Sequence, residues 1–442
     1  MKNKYVLYYS ALVAALSGFL FGFDTVVISG AEQDIQKIWQ LNSFMHGLTI
    51  SMALWGTVLG ALIGGLPNEY WGRKNTLVLV GFLYLISAIG SAFASDVYSL
   101  IIFRFIGGIG IGISTIAAPL YITEISPPEK RGKLTGMFQF NIVLGILIAY
   151  ISNALLSHLG PDSWRYMLGV QAIPSIIYIL LCIGLPESPR WLIIRKKNTA
   201  KASEIFYTIN PIASDKEITD LVHNISISTS TENNKRTFFT KSMWKPISLA
   251  FFIAFFNQMS GINAILYFAP RIFELTGLGQ EASLLQSIGI GLVNLVFTLM
   301  GLYLIDKVGR KTLLYWGSFG YIISLGLCSW AFASGFVEIV PYCIFAFIAA
   351  HAIGQGAVIW VFISEIFPNQ YRNAGQSLGS FTHWFFAALL TLIFPKMVTI
   401  FNPALIFGIF CILMVVQLFW IKIWVLETKG IALENMEKKL GI

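Results

Sequence analysis

Two short stretches, far apart in the chain, end in the same three residues, Gly-Arg-Lys. Residues 69–74 read Glu-Tyr-Trp-Gly-Arg-Lys, and residues 306–311 read Asp-Lys-Val-Gly-Arg-Lys. Each stretch lies between two apolar runs, which for the first are 47–68 and 76–94. A helix that crosses a bilayer needs about 20 mostly apolar residues. The pattern therefore predicts pairs of membrane-spanning helices joined by short basic turns, and the match between the two stretches predicts an internal duplication.

The composition of the whole chain favours the same class of protein. Of 442 residues, 56% are hydrophobic and only 12% are charged, with a mean hydropathy of +0.71. A water-soluble globule of this composition would leave large apolar patches exposed. All four cysteines fall in apolar runs, which excludes a disulfide scaffold. The 30 Lys and Arg residues lie in short clusters rather than in a basic domain, so we expect no nucleic-acid partner.

We predict an all-α integral membrane protein with twelve transmembrane helices. The spans are predicted at about 5–31, 47–68, 76–94, 97–121, 134–157, 165–185, 245–273, 282–304, 312–334, 339–363, 374–396 and 402–426. The predicted organisation is an N-terminal six-helix half at 1–185, an inter-half loop with short helices at 186–244, a C-terminal half at 245–428 and a short tail at 429–442. The spacings Gly56-x3-Gly60 and Gly108-x3-Gly112 predict close contacts between helices.

The distribution of basic residues predicts the orientation in the membrane. If both termini are cytoplasmic, 24 of the 30 Lys and Arg residues lie on the cytoplasmic side and four on the other, with Arg104 and Lys422 inside spans. The positive-inside rule requires an asymmetry of this kind. No Asn-x-Ser/Thr acceptor lies on the outer side, which favours the cytoplasmic membrane of a bacterium over a glycosylated eukaryotic surface.

Five motifs, in order along the whole chain, resemble those of the sugar porter family of the major facilitator superfamily. They are Gly22-Phe23-Asp24-Thr25, Arg104-x-x-Gly107-Gly108-x-Gly110, Pro186-Glu187-Ser188-Pro189-Arg190-Trp191, Gln258-x-Ser260-Gly261-Ile262-Asn263 and Glu427-Thr428-Lys429-Gly430. The chain departs from the family pattern at Asn257, where a Gln is usual, and at Ala357, where a Pro is usual. The resemblance implies two pseudo-symmetric halves that carry a monosaccharide across the bilayer by alternating access, in a protein that functions as a monomer.

Asp24 and Arg104 are the only carboxylate and the only guanidinium that this pattern places well inside the first six spans. An unpaired ion there costs on the order of 2.5–3.5 kcal/mol, so each is the expected partner of the other. By resemblance they form the proton-coupling pair, since proton-coupled xylose symporters carry Asp at the first position and facilitative glucose transporters carry Asn. The alternative is a static ion pair that holds the first and fourth spans together.

Amide and aromatic side chains are expected to bind the sugar, because amides both donate and accept hydrogen bonds and aromatic planes stack on the ring. In a straight helix Gln258 and Asn263 would point about 140° apart, but Ser260-Gly261 between them favours local unwinding. Hydrogen bonds between helices are the alternative role of each amide. By resemblance, the sugar-contacting positions are Gln139, Gln258, Asn263, Asn294 and Trp360, and the same cavity is lined by Phe21, Asn257, Tyr267, Gly356 and Trp384.

His383 and Ile146 are expected to line this cavity and to influence which sugar it binds. His383 precedes Trp384, and we expect it to line the cavity as a neutral imidazole. Ile146 lies seven residues after Gln139 and therefore on the same face of the helix. By resemblance, glucose facilitators carry Ile at this position and xylose symporters carry Gln, which favours a hexose such as glucose over xylose.

Charged residues in the short loops form the last candidate set. Glu124…Pro127…Arg131 after the fourth span recurs as Glu365…Pro368…Arg372 after the tenth. We expect salt bridges between the halves on the cytoplasmic side, which stabilise the outward-facing state and break when the protein opens inward. The basic residues are also expected on this side from topology alone. The gating set is Arg73, Glu124, Arg131, Glu187, Arg190, Arg310, Glu365, Arg372 and Glu427.

The function predicted from these residues is uptake of a monosaccharide together with a proton. A proton-independent facilitator is the alternative within transport, and a sugar receptor on the same fold is the alternative outside it. No cluster of His, Cys, Asp or Glu has metal-ligand spacing, and no motif supports a catalytic triad. We therefore expect no metal, no cofactor and no enzyme activity.

Overall fold

The chain folds as a bundle of long helices. The structure, a computed structural model, describes residues 5–210, 214–228, 238–368, 371–430 and 440, apart from the side chains of residues 128, 129, 227 and 228. Within these ranges the secondary structure is helical, with no strand. Twelve helical segments there are long and apolar enough to cross a membrane. This confirms the predicted fold class.

The helices before the long polar stretch supply six of these spans. They are α1 (Val6–Ile38), α2 (Ser43–Ile63), α3 (Gly65–Trp71), α4 (Arg73–Ala92), α5 (Val97–Ile125), α6 (Pro128–Leu156), α7 (Ser163–Gly169) and α8 (Ala172–Ile183). Three short helices follow them, α9 (Pro189–Ile194), α10 (Thr199–Ile209) and α11 (Asp215–Ser228). We call the side of the bundle that holds residue 5 and these three helices the terminal side, and the opposite side the distal side.

The remaining helices supply the other six spans. They are α12 (Trp244–Met259), α13 (Ile262–Tyr267), α14 (Ala269–Glu274), α15 (Gln280–Val308), α16 (Arg310–Ser334), α17 (Val340–Ile353), α18 (Gln355–Ile366), α19 (Arg372–Ile400) and α20 (Pro403–Trp424). Three of the twelve spans join two consecutive helices, namely α7 with α8, α12 with α13, and α17 with α18.

The first helix is longer than predicted. α1 continues to residue 38, whereas the predicted span ends at residue 31. Its last two turns carry charged residues, which hydropathy alone excludes from a span. One of them, Glu32, is fully buried because it pairs with His46 and with Arg271. Glu32 is therefore a second buried carboxylate of the first helix, near its distal end, in addition to Asp24.

Glycines set the distance between helices in the first half. Gly56 and Gly60 of α2 face Gly108 and Gly112 of α5. A Cβ atom built on Gly56 would lie 3.0 Å from the Cα of Gly108, and one built on Gly60 would lie 3.0 Å from the Cα of Gly112. This confirms the predicted contact through small residues, which lets the two backbones approach closely.

The two halves meet along two pairs of helices, α2 with α19 and α6 with α15. A Cβ atom built on Gly47 would lie 2.0 Å from the carbonyl oxygen of Leu392, so α2 lies directly against the backbone of α19 on the distal side. In the other pair, Gly291 of α15 packs against Leu147 of α6.

Polar contacts between the halves also lie on the distal side. The Tyr150 hydroxyl donates to the Leu266 carbonyl oxygen at 2.8 Å, and Arg271 pairs with Glu32 at 2.9 Å. On the terminal side, the ion pairs among the described residues all join groups from one half or from the loop beside it. Among the described residues, the ion pair that joins the halves through Arg271 and Glu32 therefore lies on the distal side.

Candidate transport site

A buried ion pair lies at the centre of the first half. The Arg104 guanidinium of α5 donates to the Asp24 side chain of α1, with 3.0 Å between Nη1 and Oδ1. A second donor, Nη2, binds the Asp24 carbonyl oxygen, also at 3.0 Å. Asp24 is 0% exposed and Arg104 is 1% exposed. The second carboxylate oxygen, Oδ2, makes no hydrogen bond of ordinary geometry among the described residues, and the buried side chain of Gln171 lies beside this carboxyl group.

A residue of the second half lies near this ion pair. Tyr267 of α13 is fully buried and lies close enough to interact electrostatically with both Asp24 and Arg104. Its hydroxyl has no hydrogen-bond partner within the ranges that the structure covers. The residue that the sequence places in the sugar cavity is therefore also a neighbour of the charged pair. A change in the charge of Asp24 would act directly on a helix of the second half.

An amide cluster occupies the centre of the second half. The Gln258 amide nitrogen donates to Asn257 Oδ1 at 2.9 Å, and the Asn263 amide nitrogen donates to Gln258 Oε1 at 2.7 Å. The same Gln258 nitrogen lies 3.2 Å from His383 Nε2 on α19. Gln258 is 0% exposed and Asn263 is 7% exposed. These donors and acceptors are paired with one another here, and a sugar hydroxyl could replace any one of those partners.

A break in the seventh span brings this cluster together. α12 ends at residue 259 and α13 begins at residue 262, with Gly261 between them at φ +88°. Glycine is required at such a backbone angle, and a Cβ atom there would lie 2.6 Å from the ring of Phe410. The break removes the separation that a straight helix would impose on Gln258 and Asn263. Polar backbone freed in this way is tolerated in a membrane where it is enclosed by protein.

Aromatic rings lie beside the amides. Trp384 packs edge-on against Phe21 of α1 with ring centroids 5.5 Å apart, and both are nearly buried. His383 lies 5.1 Å from the ring of Trp360 and 4.7 Å from that of Trp384. Gly356 lies at the start of α18, and a Cβ atom there would meet the His351 carbonyl oxygen at 3.1 Å. Aromatic rings from both halves therefore meet beside the amide cluster.

Two of the candidate amides lie outside this network. Gln139 of α6 is half-buried and makes no hydrogen bond within the described ranges. Asn294 of α15 is 7% exposed, and its Oδ1 accepts a long hydrogen bond of 3.4 Å from Thr298.

Sequence reasoning missed Gln355 as a polar residue of the cavity region. Gln355 is 1% exposed, and its Oε1 accepts from the Asn257 amide at 3.4 Å. Its own amide nitrogen has no partner in the part of the chain that the structure describes. The signal that could have found it is its position after Gly354, where α17 ends and α18 begins. A break in a span places polar groups inside the protein.

The charged loop residues form one cluster in each half. In the first half, Arg73 makes two bonds to Glu124, Nη2 to Oε1 at 2.7 Å and Nε to Oε2 at 2.8 Å. The backbone N–H groups of Arg73 and Lys74 donate to Glu187 Oε1 at 2.9 and 3.1 Å. Ser188 adds a short bond of 2.5 Å to Glu124.

The second half repeats the arrangement. Arg310 makes two bonds to Glu365, at 2.7 Å through Nη2 and 3.0 Å through Nε. Its backbone N–H donates to Glu427 at 2.9 Å, and the Thr428 hydroxyl donates to Glu365 at 2.6 Å. Each cluster thus contains a two-point arginine–glutamate pair, a second glutamate that accepts backbone N–H groups, and a hydroxyl.

The other three gating candidates lie beside these clusters without an ion pair there. Arg190 is close enough to Arg131 and Glu124 for their charges to act on it. Burial, together with the nearby Arg131 charge, lowers the pKa of Arg190 from its ordinary value. Arg372 donates through Nε to the Ser364 carbonyl oxygen at 3.1 Å.

The described residues contain no group of three or more His, Cys, Asp or Glu side chains arranged to hold a metal ion.

Comparison with known proteins identifies the family. A family model described as "Sugar (and other) transporter" matches residues 10–440. The arabinose-proton symporter of Bacillus subtilis is 36% identical over 435 residues, which cover 96% of this chain and 93% of that protein. A glucose transporter of Staphylococcus epidermidis is 33% identical over 444 residues, covering 99% and 97%. The inward-open structure of the xylose transporter from E. coli matches with a TM-score of 0.87 and 30% identity over 98% of this chain and 99% of that one.

The chain therefore belongs to the sugar transporter family of the major facilitator superfamily. It is a multi-pass membrane transporter and not an enzyme.

Proposed function

We propose that the protein takes up a monosaccharide together with a proton, by alternating access of a central site to the two sides of the membrane. The observation that carries this proposal is the Asp24–Arg104 pair. It is fully buried, Arg104 bonds directly to one oxygen of the carboxylate, and the pair lies close enough to Tyr267 of the other half to interact with it electrostatically. The proton-coupled relatives, such as the arabinose-proton symporter, support the same assignment.

The coupling follows from the electrostatics of this pair. While Arg104 holds Asp24, the carboxylate is charged and the pair is balanced. If a rearrangement moves Arg104 away, an unpaired carboxylate remains in a low-dielectric site, and a proton then neutralises it. Binding of the proton and movement of the helices are thus two parts of one equilibrium. Because Tyr267 belongs to the same span as Gln258 and Asn263, the sugar site senses that equilibrium.

The structure supports an inward-open state for the proposed cycle. The halves are joined by Arg271 and Glu32 on the distal side, while each charged cluster on the terminal side stays within its half. We assign the terminal side to the cytoplasm, in the inner membrane of a bacterium, on the positive-inside asymmetry. In the outward-facing state we expect the arginines and glutamates of the terminal clusters to pair across the halves, and the loss of those pairs accompanies inward opening.

The test of coupling uses Asp24→Asn in proteoliposomes. The amide still pairs with Arg104 but cannot titrate, so we expect proton-driven accumulation of sugar to be lost while sugar exchange continues. The matched control is Glu204→Gln, which removes an exposed carboxylate of α10. Unchanged accumulation in Asp24→Asn under an imposed pH gradient would contradict coupling and favour the facilitator. Loss of both accumulation and exchange would assign the pair a structural role.

A hexose such as glucose is the proposed substrate, on the strength of Ile146. Ile146 is 5% exposed and belongs to the apolar core around the site. An aliphatic wall leaves room for the sixth carbon of a hexose, whereas a Gln there would add a donor and fill that space. A pocket discriminates a group of this size by about 1–3 kcal/mol. The known relatives include transporters of both arabinose and glucose, so the identity of the sugar rests on this residue.

Competition of unlabelled glucose and xylose with labelled glucose measures the preference for a hexose directly. We expect unlabelled glucose to displace labelled glucose at lower concentration than xylose does, and Ile146→Gln to reduce the difference. Ile146→Leu, which stays aliphatic, is the control and should keep the preference. If xylose competes better in the natural protein, or if Ile146→Gln leaves the preference intact, the hexose assignment is wrong.

A further inference from the structure

A second buried charged cluster lies on the distal side, away from Asp24. We call it the distal cluster, and its members are Glu32 and Gln36 of α1, His46 of α2 and Arg271 of α14. His46 Nε2 lies 2.7 Å from Glu32 Oε2. Arg271 binds the same carboxylate through Nη2 at 2.9 Å and through Nε at 3.0 Å, and its Nη2 also binds Gln36 Oε1 at 2.5 Å.

Glu32 and His46 of the cluster are shielded from water in this state. Glu32 and His46 are both 0% exposed, and the Arg271 side chain is 20% exposed. The Phe268 ring lies 6.1 Å from the imidazole, measured between centroids. His46 Nδ1 is buried and has no hydrogen-bond partner in the part of the chain that the structure describes. A basic ring nitrogen is therefore present and unused while the distal side is closed.

Charge balance disfavours a second cation beside Glu32 in this state. Glu32 carries one negative charge and Arg271 one positive charge, so the pair is already balanced, and a protonated His46 would place a second cation on one carboxylate. Other charged residues lie on the elements that pack in this region, but within the described ranges the ion pair of His46 is with Glu32. They are Asp34 and Lys37 of α1, Asp96 before α5, Glu274 of α14 and Lys396 of α19.

Opening of the distal side changes this balance. Arg271 belongs to the second half and Glu32 and His46 to the first, so separation of the halves removes Arg271 from the carboxylate. Glu32 then keeps only His46 as a partner. Protonation of His46 restores the balance within the first half, and water entering from the distal side reaches Nδ1.

We propose that His46 is a second proton-binding site, which is filled from the distal side when Arg271 leaves Glu32 and which stabilises the distal-open state. The proton is the ligand, and the imidazole takes over the role of the guanidinium. The sign follows from linkage: a group that binds a proton only in the open state shifts the equilibrium toward opening as the distal pH falls. The proposal concerns gating, and it does not require Asp24 to be the coupling residue.

The proposal is tested by the accessibility of a thiol introduced one helical turn before Glu32 on α1. Ser29 lies three residues before Glu32 on the same face of α1, is 2% exposed and makes no hydrogen bond through its hydroxyl in the described residues. In Ser29→Cys, a membrane-impermeant maleimide added on the distal side measures opening. The parent chain gives the background from its four cysteines, which are buried or half-buried. Labelling of the unfolded protein at each pH corrects for thiolate reactivity.

With His46 present, we expect corrected labelling to be about three- to tenfold faster at a distal pH of about 6 than at about 8. In the His46→Gln variant, which keeps an amide donor for Glu32 but cannot be protonated, labelling should not depend on pH. His46→Asn serves as a second neutral variant if the first fails to fold. In Arg271→Gln the closing pair is lost, so labelling should be fast at both pH values.

Three results would overturn the proposal. The first is an equal pH dependence in His46→Gln or His46→Asn. The second is slow labelling of Arg271→Gln at both pH values, which would show that Arg271 does not hold the distal side closed. The third is a pH dependence that disappears in Asp24→Asn and persists in His46→Gln, which assigns the effect to Asp24. That last result leaves proton-coupled uptake intact, so the two proposals fail separately.

Discussion

The two halves share a scaffold and differ in their chemistry. On the terminal side each half has the same unit: Arg73 with Glu124 in the first and Arg310 with Glu365 in the second, each bound through two nitrogens. Each unit also has a second glutamate that accepts backbone N–H groups at the start of a helix. A glycine with positive φ precedes that helix in both halves.

The centres of the halves differ. The first span is one unbroken helix that carries an aspartate, and its partner is an arginine. The seventh span occupies the corresponding place in the second half, but it breaks at Gly261 and carries amides. The comparison indicates that the duplicated loops maintain the architecture, whereas the centres differ, with an ion pair in the first half and an amide cluster in the second.

The largest expected effect concerns the glycines of the shared unit. Gly72 has φ +91° and ψ 170°, and Gly309 has φ +104° and ψ 161°. A Cβ atom would lie 2.3 Å from Glu187 Oε2 at the first and 2.6 Å from Glu427 Oε2 at the second. Replacement by Ala therefore adds backbone strain and displaces a carboxylate that holds backbone N–H groups. We expect each variant to lose about 3–5 kcal/mol, measured by thermal unfolding in detergent.

Gly160 provides the matched control. Its backbone is similar, with φ +95° and ψ −164°, but a Cβ atom there meets nothing within 4 Å. Gly160→Ala should therefore show the strain alone, about 1–3 kcal/mol. If Gly72→Ala and Gly160→Ala lose equal stability, the carboxylate contact contributes nothing. A large difference between Gly72→Ala and Gly309→Ala would show that the two units are not equivalent.

The next effect concerns the division of sugar binding between the halves. Gln258→Ala should weaken sugar binding by about 1–3 kcal/mol, because it leaves Asn263 and the sugar without a buried polar partner. Gln139→Ala, in the first half, should cost less than about 1 kcal/mol, because Gln139 is half-buried and outside the amide network. Calorimetric or fluorescence titration with sugar measures both. Equal losses of sugar affinity in the two variants would show that both halves contribute equally to sugar binding. Unaltered affinity in Gln258→Ala would show that Gln258 is a packing residue.

The scaffold could be predicted from the sequence because its signals are local. Apolar runs of membrane length and the repeated Gly-Arg-Lys stretches are each readable within about 20 residues. The end of α1 could not be predicted in this way. Glu32 reads as a loop residue by its charge, and its burial depends on His46 and Arg271, which lie far away in the sequence. A buried charge is predictable only when its partner is known.

The sequence predicts which residues form the candidate site, but it does not predict which of them contact one another. The motif around Gly261 indicates a break, and the structure contains it. The bond between Gln258 and His383 joins residues 125 positions apart, and no local pattern specifies it. Gln355 was missed for a related reason, because its environment depends on the way α17 and α18 meet Asn257 of another span.

The smallest expected effect distinguishes Glu187 from Glu427, the glutamates that accept backbone N–H groups in the two terminal clusters. They should differ in how their contribution to thermal stability depends on pH. Burial raises the pKa of Glu187 from its ordinary value, despite three backbone N–H groups from Arg73, Lys74 and Ser188. Burial would also raise the pKa of Glu427, but four backbone N–H groups, including that of Lys429, lower it overall. The pKa shifts of Glu187 and Glu427 therefore have opposite signs. Charged Glu427 stabilises the fold above its ordinary pKa of about 4.3, and this is lost as the pH falls.

Charged Glu187 is unfavourable at neutral pH, and protonation relieves this as the pH falls through its raised pKa. We therefore expect Glu427→Gln to melt below the natural protein at pH 7, and Glu187→Gln to melt at the same temperature or above it. Both differences should shrink toward pH 4, where the natural carboxyls become protonated and resemble the amides. The effects should be on the order of 1 °C, because both groups are only half-buried and water screens their charges. Melting curves of the three proteins between pH 7 and 4 measure this. Differences of the same sign for the two variants at pH 7 would mean that the extra backbone donor of the second half does not distinguish the units.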